Sequence, residues 1–302
     1  MSHTSVLLNE VITGLDIKPA DIFFDGTING GGHSRAIAEK LNEGGMIIGV
    51  DLDLDAIAKA QENLKKVNPK IILRQASFRN LDSVLAEIKI KAVDKILLDL
   101  GLSSNQFEES GRGFSFQKDE PLLMTFKNVP EPSDITAFKI VNDWDEENIS
   151  QVIESYGEER FAKKIARGIV LERQKRQIKT TTDLVEIIRA STPKSYQYKK
   201  LHPATKTFQA LRITVNDEIG ALKDGLRKGF EHLRSGGRLA IISFHSLEDR
   251  VVKNAFKGLA QDGKGRILTK KPITPSRQEI IENPRSRSAK LRIIEKTAMP
   301  IY

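Results

Sequence analysis

The chain contains no cysteine, which removes disulfide frameworks, thiolate zinc sites and cysteine nucleophiles from consideration and is compatible with a reducing compartment. Aromatic residues are scarce at 6%, with a single tryptophan. No run of about 18 apolar residues occurs, so no membrane span is expected. Met1 to Glu10 lacks the basic stretch followed by an apolar one that marks a secretory leader, and the expected location is the cytoplasm. The histidines do not fall at metal-ligand spacing, so no catalytic metal is expected.

What is present is the balance of a globular protein: 302 residues, 39% hydrophobic and 29% charged. That length suits one large domain, or one domain carrying a smaller insert. The 48 Lys plus Arg exceed the 40 Asp plus Glu, a net charge of +8 that favours a polyanionic partner without proving one.

The first hundred residues alternate strand and helix. Asp21 to Asp25 and Met46 to Asp51 are short apolar runs that each end in an acid; Ile71 to Leu73 and Lys95 to Leu100 supply two more strands. Helical spacing fills the gaps over Ser34–Leu41, Asp55–Lys66 and Leu81–Ile88. From Gln106 to Thr207 no buried strand is convincing, and helices are expected over Glu146–Ser155, Glu158–Gln177 and Thr182–Ala190. One long helix over Phe208–Leu233 then leads to a fifth strand, Arg238–Ser243, with last strands near Arg266–Thr269 and Leu291–Glu295. The fold class is α/β, a doubly wound parallel sheet over 1–105 and 208–302 interrupted by a basic helical insert over 106–207.

Between the first strand and its helix lies Asp25-Gly26-Thr27-Ile28-Asn29-Gly30-Gly31-Gly32-His33-Ser34. Glycines allow a sharp backbone turn and close ligand approach, while the helix start offers unpaired amides. The dinucleotide fingerprint counted from Gly30 requires glycine where Arg35 stands, which argues against a nicotinamide cofactor, and no P-loop Gly-Lys-Ser/Thr follows. Asp51, about 20 residues on at the end of the second strand, is placed to accept both ribose hydroxyls. Ser77-Phe78 follows strand three, where Phe78 is either an adenine contact or core. Asp99 ends strand four, at the edge where ligands of open α/β sheets bind.

Gly30 to Ser34, Leu97 to Ser104 (Leu-Leu-Asp-Leu-Gly-Leu-Ser-Ser) and Ser243 to Arg250 (Ser-Phe-His-Ser-Leu-Glu-Asp-Arg) resemble the bacterial 16S ribosomal RNA cytosine-N(4) methyltransferases. His3 to Leu8, Gly111 to Phe116, Gly157 to Phe161, His202 to Arg212 and Asn283 to Arg292 are similar to family segments in family order. The resemblance covers essentially the whole chain. It implies a Rossmann-like class I methyltransferase sheet with an inserted helical substrate-recognition domain. The implied reaction transfers a methyl group from S-adenosyl-L-methionine to the exocyclic amine of one decoding-centre cytosine (position 1402) of 16S ribosomal RNA in the small subunit. It further implies cofactor contacts at Gly31, Gly32, His33, Asp51, Phe78, Asp99 and Gln106, the last from resemblance alone. Asn105 stands where the family carries proline, and Leu122 to Lys127 replaces an acid-rich family stretch, a departure on the substrate side.

For the chemistry, Asp99, Ser103 and Ser104 follow strand four and suit contacts to the amine, whereas His245 and Glu248 follow strand five and suit orienting the base or taking its proton, with loop-fixing as the plain alternative. Phe114 and Phe116 are candidates for stacking the base, with core packing the commoner role for such residues. Two basic groups are candidate phosphate contacts: Arg160 through Lys179 on the insert, and Arg285, Arg287, Lys290 and Arg292 near the end. No DNA partner is expected, and monomer and homodimer both stay open. The competing readings are a nicotinamide-dependent oxidoreductase and a non-catalytic ribosome-binding factor.

Overall fold

A computed structural model describes residues 5–101, 110–127, 129–198 and 201–298. The chain opens with α1 (Leu8–Leu15), β1 (Ile22–Asp25), α2 (Gly32–Ala38), β2 (Met46–Asp51), α3 (Leu54–Asn63), β3 (Lys70–Gln75), α4 (Leu81–Glu87) and β4 (Val93–Asp99). It continues through a helical stretch, α5 (Ala137–Asp143), α6 (Glu146–Gly157), α7 (Ala162–Arg173), α8 (Thr181–Ser191), α9 (Lys194–Gln197) and α10 (Thr205–Asn216). It ends with α11 (Glu218–His232), β5 (Leu233–Ser243), α12 (Ser246–Gln261), β6 (Gly265–Ile267), α13 (Arg277–Glu282) and β7 (Lys290–Lys296). Two compact units result: Met1–Gly101 with Ile219–Tyr302, and Leu102–Glu218. Among the described residues no helix is long and apolar enough to cross a membrane.

The discontinuous unit is built on one sheet of order β3-β2-β1-β4-β5-β7-β6. The first five strands pair in parallel; β7 runs antiparallel to β5 and β6 antiparallel to β7. The runs read as buried strands are buried on both faces because side chains alternate across a strand. Phe24, Ile48, Ile96, Leu98 and Ile241 pack with α4, α11 and α12 on one face. Phe23, Ile47, Leu97, Ala240 and Ile242 pack with α1 and α2 on the other. The order 3-2-1 then 4-5 reverses direction between β1 and β4, and that switch point opens a crevice at the carboxyl edge.

The helical unit has its own core, in which Ile140, Ile153, Ile165, Ile169, Ile188 and Leu211 are fully buried. Its helices start where the sequence supplies caps: Asp145 accepts from Asn148 N at 2.7 Å, and Thr180 forms a reciprocal capping box with Asp183. The departure stretch at 122–127 feeds this core, with Leu122 and Met124 buried and Thr125 Oγ1 accepting from Lys127 N. Phe114 is buried and stacks on Phe126 at 5.7 Å; Phe116 is half-buried and stacks on His202 at 4.5 Å.

Several expectations need correction. The long helix over 208–233 is two helices, since Asp217 takes a left-handed φ of 45° and closes α10, and the compact division falls there, after 218 rather than 207. The helix over 158–177 is shorter, because Glu158 at φ 50° ends α6 and α7 begins at Ala162. The insert is not basic as a whole: residues 102–218 hold 18 Lys plus Arg against 18 Asp plus Glu, so the excess charge of +8 belongs entirely to the sheet-bearing unit. The basic group on the insert also divides. Arg173 donates to Val141 O and Trp144 O, and Lys175 and Arg176 pair with Glu172. Arg160, Lys163, Lys164 and Arg167 form one exposed face at helical spacing.

Candidate active site

The carboxyl edge of the sheet gathers the acids that end its strands. Asp25, Asp51 and Asp99 close β1, β2 and β4, and each is at most 9% exposed. The loop after β1 is bent by two left-handed residues, Asn29 (φ 47°) and Gly31 (φ 78°), so that α2 starts at Gly32 without a side-chain cap. A Cβ at Gly31 would be strained by that φ and would sit 3.3 Å from Ala60 Cα, which explains glycine there. The leading amides of a helix so begun have no intrahelical acceptor.

Asp51 holds this loop. Its Oδ2 accepts from Asn29 N at 3.0 Å and its Oδ1 from Asp53 N at 3.0 Å. The Leu52 amide also acts on the carboxylate; since a carboxylate offers about four acceptor sites, capacity remains beyond these amides for a hydroxyl-bearing ligand. Burial raises the Asp51 carboxyl above its ordinary range, opposed by those amides. Leu52, directly beyond it, is 43% exposed, an unusual position for leucine and one that pattern reading passed over because a single residue has no period.

Asp25 and Thr27 are also residues the sequence reading did not assign. Asp25 accepts from Ser34 Oγ at 2.6 Å and from Thr27 N at 3.2 Å, while Thr27 Oγ1 accepts from Asp99 N at 2.7 Å, so the glycine loop is sewn to β4. The signal was the acid at the end of β1, matching the one at the end of β2. Burial lifts Asp25 to about 6. Asp99 is lifted to about 7 by burial, opposed by the hydrogen bond from Gly101 N at 3.4 Å and helped by the smaller influence of the negative charges of Asp25 and Glu248. His33 is buried; its Nε2 lies 2.9 Å from Val6 O and its Nδ1 3.9 Å from Asp99 Oδ2. The edge therefore gathers buried carboxyls whose ionised forms a cationic ligand would favour.

Phe78 is half-buried in the turn after β3, with Gly26 and Gly225 against it: a Cβ at Gly225 would lie 2.6 Å from its ring. Its packing is that of a core residue at the rim of the crevice. Ser103, Ser104 and Gln106 lie outside the described residues.

His245 and Glu248 occupy the β5–α12 turn as a reciprocal capping box. Glu248, 3% exposed, accepts from Phe244 N at 2.8 Å and His245 N at 3.3 Å, and His245 Nδ1 accepts from Glu248 N at 3.4 Å. With Nδ1 an acceptor, the neutral ring carries its proton on Nε2, which lies 3.0 Å from Glu248 Oε1 without forming a hydrogen bond. This geometry gives both residues a part in fixing the turn, the loop-fixing alternative, through His245 Nδ1 and Glu248 Oε2. Glu248→Ala should destabilise the fold by about 2 kcal/mol through lost acceptors for half-buried amides. Glu248→Gln, which keeps an acceptor, should cost about half as much in a urea titration; equal costs would exclude the cap as the cause.

A family model described as the MraW methylase family matches residues 1–297. Ribosomal RNA small subunit methyltransferase H of Clostridioides difficile (strain 630) is 42% identical, the alignment covering 97% of this chain and 98% of the relative. The protein of the same name from Geotalea daltonii is 45% identical over the same shares.

Proposed function

The chain belongs to the MraW methylase family, and from that premise we propose that it methylates the exocyclic N(4) amine of a decoding-centre cytosine in 16S ribosomal RNA of the small subunit. The relatives named for small-subunit ribosomal RNA support the substrate class, and a methylase family sets aside the nicotinamide oxidoreductase and the non-catalytic binder. The observation that carries the cofactor assignment is the acidic carboxyl edge: Asp51, with acceptor capacity beyond its loop amides, beside Asp25 and Asp99, at the switch point of the sheet.

The donor set fits S-adenosylmethionine, whose diol, adenine and sulfonium ask for a paired acceptor, an apolar face and a negative surround. Asp51 takes the ribose hydroxyls, exposed Leu52 offers the adenine an apolar contact, Gly31, Gly32 and His33 present the turn and the start of α2, and Phe78 backs the pocket wall. Bound S-adenosylmethionine supplies an electrophilic methyl group for in-line displacement by the amine. The work of the chain is then alignment and exclusion of water rather than covalent catalysis. Ionised Asp99 complements the positive charge and can accept an amine N–H, which localises a lone pair otherwise delocalised into the ring. Ser103, Ser104 and Gln106, following β4 in the chain, complete the proposed contacts, and the helical unit recognises the RNA. The exposed face of Arg160, Lys163, Lys164 and Arg167, with the Arg160 guanidinium 4.6 Å above the Phe161 ring, suits that task.

The test is to map N(4)-methylated cytosines in ribosomal RNA from cells with and without the gene. One decoding-centre cytosine should lose its methyl group in the deletion and regain it on complementation; an identical modification map in both strains rejects the reading.

A further inference from the structure

The sheet edge that bears Asp25, Asp51 and Asp99 has a basic border, and the topology puts it there. β6 runs toward that edge and β7 away from it, for Ser243 at the end of β5 lies opposite Lys290 at the start of β7. The connection over 268–289 is therefore at the carboxyl edge, anchored by the bridge between Ile273 and Leu291. It carries Lys270, Lys271, Arg277 and Arg287, all exposed, and none of the four enters an ion pair among the described residues. The sheet-bearing unit has 30 Lys plus Arg against 22 Asp plus Glu, so these cations sit where the chain keeps its whole excess charge.

The acids nearby are turned to other work. Asp249 is taken by Arg292 at 2.6 Å and Lys290 at 3.4 Å, which withdraws those two cations from the basic group expected near the end of the chain. Glu279, on α13 within the border, accepts from Leu7 N at 2.7 Å. The neighbouring Val6 O is 2.9 Å from His33 Nε2, so the border is tied through two residues of the amino-terminal segment to the glycine loop. Its positive charges are thus held at a fixed offset from the pocket, and the one further carboxylate of the connection, exposed Glu282, accepts from Gln278 and pairs with none of the four cations among the described residues.

We propose that this border is a phosphate-docking rim: Lys270, Lys271, Arg277 and Arg287 take backbone phosphates of the RNA strand whose base enters the carboxyl edge. The inference rests on the methyltransferase reading and adds a binding surface to it. Opposed charges near the reacting edge give affinity and register without reading sequence, which the pocket does for itself.

The experiment measures binding of transcribed 16S ribosomal RNA across a potassium chloride series, with S-adenosylmethionine affinity and the thermal midpoint as controls. K270Q/K271Q/R277Q/R287Q should lower the slope of log K against log salt by about 3, the loss of four phosphate contacts at roughly 0.7–0.9 each. The affinity for S-adenosylmethionine should stay within about twofold, and the charge-keeping set K270R/K271R/R277K/R287K should restore the slope. An unchanged slope in the neutralised variant overturns the rim. So does a loss of affinity for assembled small subunits with none for naked RNA, which would mark a protein partner. If the unaltered chain transfers no methyl group to small-subunit RNA, the enzymatic reading falls and the rim with it; a methylating chain with an unaltered slope sinks the rim alone.

Discussion

Asp51→Ala is expected to raise the dissociation constant for S-adenosylmethionine by more than about 100-fold. The estimate follows from two hydrogen bonds to an ionised acceptor, each worth roughly 1.5–3 kcal/mol, and every 1.4 kcal/mol is tenfold in affinity. The substitution also strips Asn29 N and Asp53 N of their acceptor, so part of the loss comes from a loosened loop. Asp51→Asn is the milder variant: it gives up the charge and keeps an acceptor oxygen for one of the two loop amides, and should weaken binding by about tenfold. Calorimetric titration of both variants with S-adenosylmethionine and with S-adenosylhomocysteine, which share the ribose, should show the same losses for both ligands. Wild-type affinity in the two variants would remove Asp51 from the site.

The second large effect separates those ligands. S-adenosylmethionine carries a positive sulfonium and S-adenosylhomocysteine does not. Asp99 and Asp25, lifted to about 7 and about 6, are partly protonated near neutrality in the unliganded protein. A cation at the edge favours their ionised forms, so its binding releases a proton, and its affinity should fall about tenfold per pH unit below the higher value for each proton coupled. The neutral ligand should change little. The ratio of the two dissociation constants should therefore rise about tenfold between pH 8 and pH 6, and Asp99→Asn should flatten it. A ratio independent of pH would deny the buried acids any contact with the sulfonium.

The same carboxyls have the opposite influence on the empty protein. Their folded values lie above the ordinary 3.8, so the folded form holds more protons than the unfolded one in the interval between. Their contribution to stability is full in acid and is lost as pH rises through about 6 and then about 7. Ligand and fold thus pull in contrary directions on one set of protons.

The buried parallel strands were readable because a strand covered on both faces writes a short continuous apolar run, and β1, β2, β4 and β5 each do so. The acids that end β1, β2 and β4 were readable for the same reason: an Asp at the close of such a run has nowhere to lie except the sheet edge. Strand direction was not, since β7 and β5 each carry a continuous buried run while running opposite ways. Loop-fixing stood as the alternative for His245, but its form as a capping box was not legible because histidine is outside the usual set of capping residues, although Glu248 three positions on carried the signal. Charge misled most. A run of cations from Arg160 to Lys179 says nothing of the acids that fold against it, and Glu172, with Asp183 2.9 Å from Arg176, neutralises its far end.

The helical unit is spliced between β4 and β5, which are neighbours in the sheet. During synthesis, then, β3, β2, β1 and β4 emerge early, and β4 must wait more than a hundred residues for the strand that covers its open side. An uncovered strand as apolar as Ile96-Leu97-Leu98 is adhesive, and non-local pairing closes slowly. A nascent chain stalled before residue 233 should therefore expose the open edge of β4 to pairing with other chains, which co-sedimentation of chains truncated before and after β5 would show.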